Sequence, residues 1–262
     1  MSSLTREEIE ALDPYSFLAV LGKKVVRPGG HLSTEQLFEL AEIKPDHHVL
    51  EIGCGVGATA IELVQRFECQ VTAIDHSPLM LEKARGQTSR AGLSDRIRYE
   101  EADMCGLPYA DDVFDVVIIE AVTMFCPRHS ALRECKRVLK PGGQLLDQEF
   151  AWRKAPDERA LEILRQPTMC PGIDFDDVLE WKVLFKDVGL TDVEAVSGPF
   201  ALMHPRVFVK DEGWANSMRI LGTALSRPAY FKKAVWLMRN IFKIMPSLGY
   251  VVMSARKPAL KS

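Results

Sequence analysis

The 262-residue sequence predicts a doubly wound α/β domain, and three observations carry that reading. Short aliphatic and β-branched runs alternate with helical patterns as far as Phe150. Some of those runs, such as Phe114 to Ile119, are apolar nearly throughout, as strands buried on both faces are. The first run also passes straight into a glycine-rich turn and then a helix, the usual opening of a strand–loop–helix ligand site.

The first strand begins at Val49, carries the acid Glu51, and gives way to Gly53, Gly55 and Gly57; a helical segment, Ala58 to Phe67, follows at once. Glycines in alternation let the backbone turn sharply and approach a ligand, because no Cβ intervenes. The helix behind them aims its free N–H groups and the positive end of its dipole over the loop. A nucleoside-containing cofactor at the carboxyl end of a strand is therefore expected. Loops of this kind also bind NAD and FAD, but with the spacing G-x-G-x-x-G. Here the pattern is E-x-G-x-G-x-G, and Glu51 would face a pyrophosphate with a carboxylate. An acid there suits a cationic ammonium or sulfonium, which favours S-adenosylmethionine over a dinucleotide.

Strand two is read at Gln70 to Ile74, with Asp75 at its carboxyl end. That carboxylate can accept both ribose hydroxyls of any nucleoside, or it can cap the helix expected over Ser77 to Arg85. Strand three, Ile97 to Glu101, precedes Asp103 and Met104, a polar residue for an adenine amino group and a side chain to pack on the ring. Strand four, Phe114 to Ile119, ends in Glu120. A helix over Glu134 to Leu139 should stop at Lys140-Pro141-Gly142-Gly143, before strand five at Gln144 to Phe150.

The succession VLEIGCGVGATA, TAIDHSPLMLEKAR, EEADMCGLPYADDVFDVVIIEAV and ALRECKRVLKPGGQLL resembles the class I S-adenosylmethionine-dependent methyltransferases. Within them it is similar to the small-molecule type 11 group that includes the ubiquinone and menaquinone enzymes. The likeness spans Lys44 to Phe150, with a weaker echo at Phe185 to Val196. It implies a Rossmann-like sheet of seven mostly parallel strands, the sixth at Asp192 to Val196 and an antiparallel seventh at Leu248 to Ser254. It also implies that Glu51, Gly53, Gly55 and Gly57 line the methionine end, that Asp75 takes the ribose and that Asp103 and Met104 take the adenine. His76 and Met80 join the cofactor contacts from the second motif, and Glu120 lies beside the sulfonium. In the leading segment VVRPGGHLST, the Pro28-Gly29-Gly30 turn is expected to bring Gly30, His31 and Thr34 to the methionine end, with Tyr15 as an orienting donor.

Composition fits one elaborated cytoplasmic domain: 47% of residues are hydrophobic and 26% charged, enough for one sizeable core. The polar start, MSSLTREEIEALD, has no apolar signal core, and no run reaches the eighteen or so apolar residues of a spanning helix. The six cysteines form no C-x-x-C and no metal-type cluster, so reduced thiols and no metal are expected.

Charge is distributed unevenly. All 36 acidic residues lie at or before Glu212, whereas Gly213 to Ser262 holds nine Lys and Arg and no acid. Within that tail, Trp214 to Met245 is aromatic and aliphatic with basic residues interleaved, and Pro228 should divide it into two helices. It reads as a cap packed on an acidic body, or as peripheral membrane contact through a basic amphipathic helix. Nucleic acid is disfavoured by the acidic remainder. Some fifty residues, Ser197 to Ser247, separate strands six and seven and are expected to form a helical lid, with a second elaboration at Ala151 to Ile173. The expected division is thus a helical cap segment at 1–43, a cofactor-binding core at 44–196, the lid at 197–247, and a last strand and tail at 248–262.

S-adenosylmethionine carries its own leaving group, so such an enzyme mainly aligns reactants for in-line SN2 displacement and excludes water. A general base is needed only where the nucleophile arrives protonated. His31, His204 and Glu120 are the candidates, with His129 in a loop after Pro127. The place after strand four reads EAVTMF, not the Asn/Asp-Pro-Pro-Tyr of nucleic-acid amino methyltransferases. Arsenite enzymes of similar core use several thiols, and the position where one is expected is Ala121, though Cys126 and Cys170 are loosely placed for such a role. The expected function is methyl transfer to a small, partly apolar acceptor, leaving S-adenosylhomocysteine. A membrane-recruited lipid or quinone methyltransferase, a non-catalytic S-adenosylmethionine-binding regulator and a dehydrogenase are the alternatives.

Overall fold

A computed structural model describes residues 4–170, 173 and 175–260. Pro171 and Gly172, inside the elaboration expected after strand five, lie outside the described residues. In chain order the elements begin with α1 (Arg6–Ala11), α2 (Pro14–Leu21), α3 (His31–Leu40), β1 (His48–Ile52), α4 (Ala58–Phe67) and β2 (Gln70–Asp75). Next come α5 (Pro78–Ala91), β3 (Ile97–Glu101), β4 (Phe114–Glu120), α6 (Arg128–Val138) and β5 (Leu139–Trp152). The chain ends with α7 (Glu158–Leu164), α8 (Val178–Asp187), β6 (Thr191–Pro199), α9 (Pro205–Leu225), α10 (Pro228–Ile244) and β7 (Leu248–Arg256).

The strands form one seven-stranded sheet in the order β3-β2-β1-β4-β5-β7-β6. Pairings β1–β2, β1–β4, β2–β3 and β4–β5 are all parallel. The order reverses between β1 and β4, and ligands of open α/β sheets bind at such a switch point, outside the carboxyl ends of the strands. Glu51, Asp75 and Glu120 all sit at or near those ends.

Contacts divide the chain into two compact units. One, Thr34–Glu149, Val178–Ser197 and Val251–Ser262, holds most of the sheet. Its core is aliphatic: Val49, Leu50, Ile52, Val116, Val117, Ile118 and Ile119 are buried on β1 and β4. Each such side chain contributes about 1.5–3 kcal/mol relative to exposure. Helix α4 buries Thr59, Ala60, Leu63 and Val64, one stripe at helical spacing.

Two elements differ from expectation here. Helix α6 begins at Arg128, two turns earlier than the apolar pattern indicated, because RHSALRE buries only Ala131 and Leu132 in those turns. Strand β5 begins at Leu139, before Lys140-Pro141-Gly142-Gly143 rather than after it. Phe114 pairs with Leu139 and Val116 with Gln144, so the Pro-Gly-Gly stretch absorbs a register shift inside the strand. Gly143 is required there: a Cβ would stand 2.8 Å from the Lys140 carbonyl and 2.9 Å from that of Asp115.

The other unit, Met1–Ser33, Phe150–Asp177 and Gly198–Tyr250, is mostly helical. Thr5 and Glu8 form a capping box on α1, and Asp13 caps α2 through the N–H groups of Tyr15 and Ser16. Pro228 separates α9 from α10 as expected, and α9 is itself kinked at Gly213 (φ 72°, ψ 156°). Among the described residues, no helix is long and apolar enough to cross a membrane.

Candidate functional site

In the sheet-bearing unit the loop after β1 is built by its glycines, with φ of 74° at Gly53, 52° at Gly55 and 79° at Gly57. The N–H groups of Gly53 and Cys54 both donate to the Ile74 carbonyl, at 2.8 and 2.9 Å, which folds the loop against the end of β2. A Cβ on Gly53 would strike Val122, and one on Gly57 would strike Tyr99 and Ala84. A Cβ on Gly55 would meet nothing within 4 Å. Close packing thus explains the outer two glycines, whereas the middle one borders open space. Gly57 caps α4 in the left-handed conformation with no side-chain hydrogen bond, so the helix's first N–H groups are not covered by a capping side chain.

Acids stand at or near the carboxyl ends of the strands beside this loop. Asp75, 8% exposed, accepts the Gly55 N–H at Oδ2 and the Ser77 N–H at Oδ1, both at 2.9 Å. It ties two loops together, while the cap of α5 is Ser77, whose hydroxyl accepts the Met80 N–H. Each carboxylate oxygen keeps a further lone pair, enough for a pair of vicinal hydroxyls. Glu51 is buried on β1. Glu120 closes β4 and is gripped on both oxygens: Thr59 donates to Oε1 at 2.6 Å and Thr34 to Oε2 at 2.7 Å. Asp103 is exposed and accepts the Cys105 N–H in a tight turn, Met104 beside it is buried, Met80 is half-buried, and His76 projects outward with its side chain 93% exposed.

A second acid layer lies behind the loop that follows β4. There Ala121 is left-handed (φ 58°) and Thr123–Phe125 form a single 3-10 turn. Glu149 Oε1 accepts the N–H groups of Val122 (2.8 Å) and Thr123 (2.6 Å), and Asp147 Oδ2 accepts the Thr123 hydroxyl at 2.8 Å. Both acids are fully buried on β5; Asp147 Oδ1 and Glu149 Oε2 have no hydrogen-bond partner among the described residues. Burial raises the pKa of both carboxyls, and for Glu149 the neighbouring Asp147 adds to the rise. Sequence reading missed this pair and Thr59. Two acids at i and i+2 inside the apolar run LLDQEF were the available signal for the pair; Thr59 gave none.

Burial pushes Cys126 up to about 12 and also raises Cys105 and Cys54, so all three stay protonated near neutrality. His129 is exposed near the start of α6.

Tyr15, Gly30, His31 and His204 belong to the helical unit. The leading segment there is fastened to α9 by two consecutive acids. Asp211 accepts the His31 N–H at 2.8 Å, and a Cβ on Gly30 would lie 2.6 Å from Asp211 Oδ2. Glu212 accepts the N–H groups of Lys24 and Val25 and pairs with Lys23 at 3.2 Å, both side chains fully buried. Desolvation lowers the Lys23 pKa, against the pull of Glu212. His204 is exposed and precedes α9 as its N-cap residue, with no side-chain capping bond. The same unit holds an aromatic cluster: Phe150 stacks on Phe175 (5.3 Å, 17°), meets Tyr15 edge-on (6.4 Å) and lies 6.1 Å from Phe200, while Trp152 meets Phe175 edge-on.

Residues 50–146 match the family described as "Methyltransferase domain". The chain is similar to Methyltransferase GfsG of Streptomyces halstedii, 30% identical over 244 residues, covering 87% of this chain and 81% of that protein. It is similar as well to the 27-O-demethylrifamycin SV methyltransferase of Amycolatopsis mediterranei, 29% identical over 86% of this chain and 82% of that one. Among solved structures, Haemonchus contortus phosphoethanolamine N-methyltransferase 2, in complex with phosphomonomethylethanolamine and S-adenosylhomocysteine, superposes with a TM-score of 0.72. At 20% identity, over 97% of this chain and 58% of that one, this likeness concerns the fold alone.

Proposed function

The chain belongs to the class I S-adenosylmethionine-dependent methyltransferases of the type 11 group, and on that premise we propose that its acceptor is a small, partly apolar molecule. The observation that carries this reading is the aromatic cluster of Phe150, Trp152, Phe175 and Phe200, buried side chains that the half-buried Tyr15 borders with one phenolic hydroxyl to orient a polar group. The name of one relative, a 27-O-demethylrifamycin SV methyltransferase, supports a small-molecule acceptor.

Cofactor contacts are assigned to the sheet-bearing unit. The residues fit the group: Gly55 borders open space, the N–H groups that open α4 carry no capping side chain, and the carboxylates of Glu51, Asp75 and Glu120 suit ribose hydroxyls and cationic charge. Bound there, S-adenosylmethionine supplies a sulfonium-activated methyl group for in-line displacement. Asp75 holds the ribose, Gly53, Gly55 and Gly57 with Glu51 line the methionine end, and Met80, Asp103 and Met104 serve the adenine. His76, fully outward, is assigned only a rim contact. Glu120 offers a fixed negative charge, because Thr34 and Thr59 prevent its carboxylate from swinging. Gly30 lets the leading segment pass close to α9, and His31 or His204 takes the proton when the acceptor arrives protonated. The six free cysteines support a reducing, cytoplasmic setting.

Transfer of labelled methyl from S-adenosylmethionine into a cell extract tests this. The extract is separated afterwards into lipid, aqueous-metabolite, volatile, protein and nucleic-acid pools. Label in one small-molecule pool, absent with Asp75→Ala, is the expected result. Label confined to protein or nucleic acid would overturn it.

A further inference from the structure

We propose that the hairpin of α9 and α10 is a docking surface for an anionic lipid bilayer. Beyond the kink at Gly213, α9 presents Trp214, Met218, Leu221 and Leu225. The spacing i, i+4, i+7, i+11 places all four on one narrow stripe. Helix α10 repeats it with Phe231, Val235, Met238 and Phe242. All but the half-buried Met238 are exposed, Trp214 to 71%. Two rows of large, exposed apolar side chains on neighbouring helices are unusual for a surface with no partner.

The charges beside the rows identify what covers them. Arg219, Arg239 and Lys243 are exposed and have no ion-pair partner among the described residues. Lys232 reaches Glu10 only at 3.4 Å, with both side chains largely in water, and Arg227 donates to the Leu4 carbonyl. Lys233 is set apart, buried with its ammonium on the Glu10 carbonyl, and is not part of the surface. From Gly213 to the chain end there is no acid at all. A second copy of the chain docked through this same face would therefore bring like charge against like charge. A nucleic acid would leave the aliphatic rows uncovered. Acyl chains and anionic headgroups together satisfy both halves of the surface: apolar rows enter the headgroup–acyl boundary and cations meet the phosphates.

Co-sedimentation of the full chain with phosphatidylcholine vesicles, alone and mixed with phosphatidylglycerol, tests the proposal. The chain should pellet with the mixed vesicles only, and high salt should release it. Arg239→Glu with Lys243→Glu should weaken partitioning at least about tenfold, as expected for reversing two surface cations. Trp214→Ser with Phe231→Ser should do so without changing S-adenosylhomocysteine binding, which also reports that each variant is folded. Equal pelleting of all variants, or no preference for the anionic vesicles, overturns the proposal. So does a concentration-dependent dimer that the Ser variant dissociates, or nucleic-acid retention that the Glu variant abolishes while vesicle binding is absent.

Discussion

Thr59, on the first turn of α4, donates its hydroxyl to Glu120 at the end of β4 across 2.6 Å, so the glycine loop's helix and the fourth strand are joined at a carboxylate. Thr34 takes the other oxygen. Hydrogen bonds to charged groups contribute about 1.5–3 kcal/mol. Thr59→Val keeps the shape and removes the donor. Steady-state kinetics should show kcat/KM for S-adenosylmethionine lower by about tenfold, while a melt shows the fold intact. Unchanged kinetics would remove Glu120 from the site.

The three loop glycines should separate in their effects. Gly53→Ala places a Cβ against Val122 and should cost both stability and cofactor binding. Gly55→Ala meets no protein atom, so its stability cost is limited to about 1–2 kcal/mol for the left-handed backbone. Binding of S-adenosylhomocysteine should nevertheless fall, because the methyl enters the space assigned to it. Calorimetry and thermal unfolding on both variants give the comparison.

Asp147 and Glu149 predict an unusual pH dependence. Their folded pKa values are raised by burial, so the native state holds protons that the unfolded chain releases. Their contribution to stability is therefore complete below the ordinary carboxylate value near pH 4 and is lost as pH rises through the folded values. The slope is about 1.4 kcal/mol per pH unit for each proton. Acids held below the ordinary range, such as Asp115 and Glu134, act with the opposite sign at lower pH, so the difference between variant and parent is the informative quantity. Glu149→Gln keeps an oxygen for the Val122 and Thr123 N–H groups and should flatten the decline. Urea melts from pH 5 to about 8 measure it.

Lys23 and Glu212 form a fully buried pair. Glu212→Ala leaves that ammonium and the Lys24 and Val25 N–H groups without their acceptor. Breaking a buried pair costs about 3–5 kcal/mol, and Lys23→Met in the same chain should recover much of it. Denaturant midpoints of the single and double variants test this.

What was legible in the sequence was whatever is written locally. Helix α4 spans the expected Ala58 to Phe67, because its buried stripe and the glycines before it are contiguous. The strands of the parallel half were legible because burial on both faces turns them into nearly continuous apolar runs, such as Phe114 to Ile119, interrupted only by Asp115. Pairings over long separations were not. Thr59 and Glu120 are 61 residues apart, and Lys23 and Glu212 are 189 apart. Neither residue type announces its partner. Polar surface also hid the first turns of α6, and the kink at Gly213 depends on one positive φ inside an otherwise helical pattern.

The glycine loop after β1 is the proposed cofactor site, and Asp75 is its most exacting residue. Titration of S-adenosylhomocysteine into the parent and into Asp75→Ala by calorimetry tests it most directly. Loss of two charge-assisted hydrogen bonds to ribose predicts an affinity about 100-fold weaker or more. A folded Asp75→Ala chain that binds within about threefold of the parent, a difference under 1 kcal/mol, would contradict the assignment.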